Sequence, residues 1–155
     1  MSDKLRKQIA VELQQLNHLL DVHRPLLTKC VSEAPNEIET SALAALLHSF
    51  YTGIENIFKR TALELGETLP AGESWHRELL DAMTIPGEAR AAVISPPLRD
   101  RLREYPRFRH VFRQAYSFQL RWDKMSSLAL ECDETLRLLE AELGDLPQAS
   151  KEELE

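Results

Sequence analysis

Apolar residues recur at helical spacing along nearly the whole chain. Leu5, Ile9, Leu13, Leu16, Leu20 and Val22 follow Ser2-Asp3, so the spacing predicts a first helix capped by one of those two residues. Pro25 interrupts the pattern, which resumes at Leu26, Leu27, Cys30 and Val31, and a kink or break is expected there because proline removes one amide and crowds the preceding turn. A second stripe, Leu43, Leu46, Leu47, Phe50, Ile54, Ile57, Phe58, Ala62 and Leu65, predicts a helix that starts at Asn36 or Thr40 and stops at Gly66. Gly53 inside it costs about 1 kcal/mol relative to alanine, and a close helix crossing is the reason expected for it. Tyr51, Glu55 and Asn56 are its polar neighbours. They could face another helix, but a solvated face is the simpler expectation.

Shorter elements follow. Ser74 is placed to cap a helix over Trp75–Met83 with Trp75, Leu79, Leu80 and Met83 inward, and its His76 reads as a surface or supporting residue rather than a catalyst, with no role assigned. Pro86-Gly87 breaks the chain, a weak helical turn is expected from Ala89 to Ile94, and Ser95-Pro96-Pro97 marks the next start. Pro106 should bend or split the arginine-rich helix that begins at Leu98. The last helix is expected from Trp122 to about Leu143, on a seam of Met125, Leu128, Cys132, Leu136 and Leu139. No alternating run survives as a strand. The expected class is therefore all-α, an antiparallel bundle of four to five helices forming one domain over residues 1–147, with a frayed charged tail at 148–155.

Charge alters this picture in one place. The chain carries −6 overall, which argues against nucleic-acid binding through net charge, yet Arg99 to Arg113 holds six arginines against Asp100 and Glu104. A cationic strip concentrates phosphates within a Debye length of about 8 Å. The plainer alternative is that neighbouring carboxylates pair with it. Cys30 and Cys132 are far apart in sequence and suggest neither a metal site nor a disulfide framework. No run reaches membrane-spanning length and no apolar leader opens the chain, so a cytoplasmic protein is expected. Glycine-rich phosphate loops, zinc-ligand spacings and nucleophile elbows are also missing from the sequence.

The strip ends in Arg107-Phe108-Arg109-His110-Val111-Phe112-Arg113-Gln114-Ala115-Tyr116. At about 100° per residue, Phe108, Val111, Phe112, Ala115 and Phe118 share one face, and Arg109, His110, Arg113, Gln114, Tyr116 and Ser117 the other. Arg109-His110, Gln114 and Tyr116 together resemble the motif of HEPN-domain proteins, in particular the HepT-like ribonuclease toxins. In that motif an arginine and a polar residue are followed by a histidine and, two residues on, a tyrosine. Arg109 matches the arginine, His110 the polar follower and Tyr116 the tyrosine, while Gln114 stands at the histidine position. A looser match runs from Arg103 to His110, across Pro106.

The resemblance implies a homodimer with both motifs lining one cleft. It implies phosphate binding by Arg109 and Arg113, and RNA cleavage through the 2′-hydroxyl without metal or cofactor. It also implies a minimal nucleotidyltransferase antitoxin that adenylylates Tyr116. Gln114 can hold a phosphate or a hydroxyl but cannot carry a proton near neutral pH, so His110, one turn away, becomes the candidate proton carrier. The alternative function is a non-catalytic helical module that binds a nucleotidyltransferase or RNA.

Overall fold

The computed structural model describes residues 1–108, 116 and 120–144. Six helices are assigned among them: α1 (Asp3–Cys30), α2 (Glu37–Glu64), α3 (Trp75–Ala82), α4 (Pro96–Leu102), α5 (Trp122–Leu130) and α6 (Cys132–Gly144). Residues 104–108 are helical as well. No strand occurs among the described residues, and the architecture is the all-α bundle expected from the periodicity.

Local chemistry accounts for most of the boundaries. The Ser2 side chain accepts from the Leu5 amide at 3.1 Å and starts α1. Asn36 and Glu39 form a reciprocal capping box at the start of α2, and Gly66, with φ of 75°, takes the chain out of its far end. Ser95 caps α4 through the Leu98 amide. Ser74 precedes α3 but makes no side-chain capping bond.

Cross-helix pairs give the direction of packing. Lys4 meets Glu64, Glu12 meets Arg60 and Lys29 meets Glu39, so α1 and α2 run antiparallel. Between them, a Cβ placed on Gly53 would stand 2.6 Å from Cδ2 of Leu16. The glycine thus marks a close crossing, as its cost in a helix suggested. Arg24–Asp133 and Asn17–Glu140 tie α1 to α6, again in opposite directions. The core lies around α2, whose Phe50, Ile54, Ile57 and Phe58 are fully enclosed, and Tyr105 stacks on Tyr51 with ring centroids 6.1 Å apart.

Several expectations need correction. Pro25 does not end α1, which runs through it to Cys30. Val22 and Val31 are exposed, since the buried seam continues through Leu20, Leu27 and Cys30 instead. The helical turn expected at 89–94 is a turn closed by a single bridge between Gly87 and Arg90. Its cause is Arg90, whose guanidinium bonds the Ile85, Ala91 and Ala82 carbonyls and both oxygens of Glu67. The arginine-rich helix splits at Arg103, three residues before Pro106, which then falls in the opening turn of the next helical stretch, where its missing amide costs little. The last helix is interrupted at Glu131, whose backbone (φ −98°, ψ 1°) leaves the helical range, although the flanking amide bonds to Ser127 and from Thr135 persist.

Candidate functional site

Arg109, His110, Arg113 and Gln114, together with the apolar positions Val111, Phe112, Ala115 and Phe118, lie outside the described residues. So does the tail from Gln148 to Glu155. Arg107, Phe108 and Tyr116 fall inside. Phe108 is buried, as its place on the apolar face requires. Tyr116 is 71% exposed, so it is not the half-buried anchor that a purely structural tyrosine would be.

The described arginines of the strip are paired, as the plainer reading of the strip held. Arg99 meets Asp100, Arg101 meets Glu131 and Glu134, Arg103 meets Asp81, and Arg107 meets Glu104. These pairs are not equivalent. Arg101 also donates to the Thr135 hydroxyl at 2.8 Å and fastens α4 to α6. Arg107 and Glu104 keep side-chain exposures of 68% and 52%, a surface pair of small net value that can exchange for another anion.

Arg103, Pro106 and Arg107 form one wall of an open cavity of about 710 Å³. Ser74, Trp75, His76 and Arg77 of α3 and its approach form the facing wall. Arg77 makes no ion pair among the described residues, so three arginines and an imidazole meet in one groove. A second cavity, about 510 Å³ between α1 and α2, is lined by Leu16, His18, Leu19 and His48 and, among the described residues, by no lysine or arginine. Of the two, the first has the chemistry for a phosphodiester.

Beneath His76 lies Glu55 of α2, with only 2% of its side chain exposed. The imidazole Nδ1 donates to Oε2 of Glu55 at 2.5 Å. Trp75 packs against the same imidazole at a centroid distance of 3.6 Å, and the Lys59 ammonium sits 4.4 Å above the tryptophan ring. The expectation of a solvated Tyr51, Glu55 and Asn56 is thus corrected. Tyr51 and Glu55 are buried and Asn56 is half-buried, because α2 is enclosed on nearly every side. His76, expected at the surface, keeps only 21% of its side chain exposed. The signal that finds it is a carboxylate interrupting an otherwise apolar central helix, which demands a partner.

The remaining titratable groups of note are structural. Burial pushes the Cys132 thiol up to about 12, and burial likewise raises the Tyr105 phenol, whose hydroxyl donates to the Leu128 carbonyl at 3.0 Å. Neither is suited to proton transfer near neutral pH. No cluster with metal-ligand character and no helix long and apolar enough to cross a membrane occurs among the described residues.

Comparison with curated proteins and with solved structures gives no match. A family model described as HepT-like protein matches residues 42–149, from the first turns of α2 through α6 and across the whole arginine-rich stretch. With an all-helical bundle and the Arg109–Tyr116 motif inside the matched region, the chain belongs to the HepT-like family of HEPN proteins.

Proposed function

We propose that the chain is a HepT-like endoribonuclease, the toxin of a toxin–antitoxin pair, acting as a homodimer whose two motifs line a common cleft. Membership of the HepT-like family, through a match that encloses the entire motif, is the observation that carries this reading. Arg109 and Arg113 bind the scissile phosphate, and His110 and Gln114 complete the cleft. Tyr116, exposed in this fold, is the residue a minimal nucleotidyltransferase partner would adenylylate, adding bulk and negative charge beside the arginines. The free, buried thiols of Cys30 and Cys132 fit the reducing cytoplasm.

Gln114 favours a second reading, in which the cleft binds RNA or the nucleotidyltransferase without cutting. End-labelled RNA incubated with the purified chain in EDTA separates the two. The ribonuclease reading expects cleavage to products ending in a 2′,3′-cyclic phosphate, its loss in Arg109→Ala, and a faster reaction in Gln114→His. Salt-sensitive RNA binding without products in either the natural protein or Gln114→His would leave the binding module. Light scattering at micromolar concentration should give a dimer. A strict monomer would remove the composite cleft.

A further inference from the structure

We propose that His76, held by the buried carboxylate of Glu55, is the proton-transfer group of an RNA-phosphate groove formed with Arg77, Arg103 and Arg107. The inference rests on the ribonuclease reading and offers, as an alternative to His110, an imidazole able to carry the proton that Gln114 cannot.

Glu55 is the first reason. It occupies a position in the central helix between Ile54 and Ile57, both fully buried, where an apolar side chain would be the more stabilising choice. A carboxylate kept there and aimed at a histidine on another helix does for the imidazole what the acid does in carboxylate–histidine catalytic pairs. It fixes the ring and its tautomer. In the tautomer that donates from Nδ1 to Glu55, Nε2 is the basic nitrogen. Trp75 against the ring further limits its rotation.

The surroundings are the second reason. The groups around the groove are Glu55 and Lys59 from α2, Glu73 and Arg77 beside His76, Asp81 from the far end of α3, and Arg103, Glu104 and Arg107. Their formal charges cancel, so the groove does not attract anions indiscriminately. Its selectivity lies in position: Asp81 and Glu104 are engaged by Arg103 and Arg107, in one half-buried and one exposed pair, which a phosphodiester can enter or replace. Arg107, on the groove wall, stands two residues before the motif arginine Arg109 in the sequence.

In the proposed step, Nε2 of His76 takes the proton from a ribose 2′-hydroxyl as that oxygen forms its bond to phosphorus. The bond from phosphorus to the 5′-oxygen breaks, and the imidazolium returns the proton to the departing oxygen. The products are a 2′,3′-cyclic phosphate and a 5′-hydroxyl. His76 is the catalytic residue of this step and Glu55 its positioning residue.

The test uses the full chain with labelled RNA in EDTA, comparing the natural protein with His76→Gln and Glu55→Gln, and measuring RNA binding by fluorescence anisotropy alongside. Glutamine at 76 keeps an N–H for Glu55 but moves no proton. Glutamine at 55 removes the buried charge while keeping an acceptor, so it tests the pair even if His76→Gln fails to fold. The inference expects each variant to cut at least about 100-fold more slowly with binding retained, and the acidic limb of the rate–pH profile to vanish in His76→Gln. Natural-rate cleavage by either folded variant would overturn the role of His76 and leave the ribonuclease reading standing. A natural protein that binds RNA but yields no cyclic phosphate would overturn both.

Discussion

Helices α1 and α2 are each 28 residues long and lie side by side, yet they differ in what their polar residues mean. Six residues of α1 are buried, on one seam, and the rest of the helix meets solvent, where even Val11 and Val22 are exposed. Fourteen residues of α2 are buried, and polar side chains are among them. Thr40 and Thr61 bond the carbonyls of Asn36 and Ile57, within one turn of themselves. Glu55 reaches out of its helix to α3. On a solvated helix a charged residue carries little information, whereas on an enclosed one it must be matched by a partner, and the partner points to the site.

The largest expected effect separates the two helices directly. Phe58→Ala should cost about 3–5 kcal/mol by urea denaturation, while Val22→Ala on α1 should stay within about 0.5 kcal/mol. Comparable losses would mean that α2 is not the centre of the core. Next comes the crossing that joins them. Gly53→Leu should cost about 1–3 kcal/mol, because its side chain must enter space already held by Leu16. A neutral result would show that the two helices are not in close contact there.

A smaller effect belongs to the entry of α2. Asn36→Ala should cost about 1 kcal/mol by losing the cap that holds the Glu39 amide, and an unchanged denaturation midpoint would remove the capping box from the account. The smallest effect is on acid stability. The Asn36 amide, and then Lys29, hold the Glu39 carboxyl below its ordinary 4.5, and Arg24 holds Asp133 below its ordinary 3.8. Because both are depressed in the folded state, their contributions are complete above those ordinary values and disappear as pH falls through the lower, folded ones. Lys29→Met removes the second of these partners and should therefore flatten part of the stability loss below about pH 4.5. A slope identical to that of the natural protein would rule this linkage out.

Periodicity was enough for the bundle, since an apolar stripe such as Leu43 to Ala62 has few other ways to be buried, and the Asn36, Ser95 and Gly66 boundaries follow from side-chain and backbone chemistry within a few residues. What escaped the sequence depends on distant partners. Pro25 lies exposed inside α1, between the buried Leu20 and Leu27. Arg90 imposes a turn on residues that would otherwise pass for helical. The break at Glu131 has no local signal in composition. The site divides the same way: Arg109, Gln114 and Tyr116 are legible as a motif because they are close in sequence, whereas Glu55 and His76 are 21 residues apart and meet only once α3 folds back on α2.

A double-mutant cycle on RNA cleavage tests the central claim, that the buried carboxylate of α2 acts through His76. Rates for Glu55→Gln, His76→Gln and the double variant are compared with the natural protein under one set of conditions. The account predicts strong non-additivity, with the double variant no slower than His76→Gln alone, because the carboxylate's effect on cleavage runs through the imidazole. Independent, multiplicative losses would contradict it, as would full activity in the double variant.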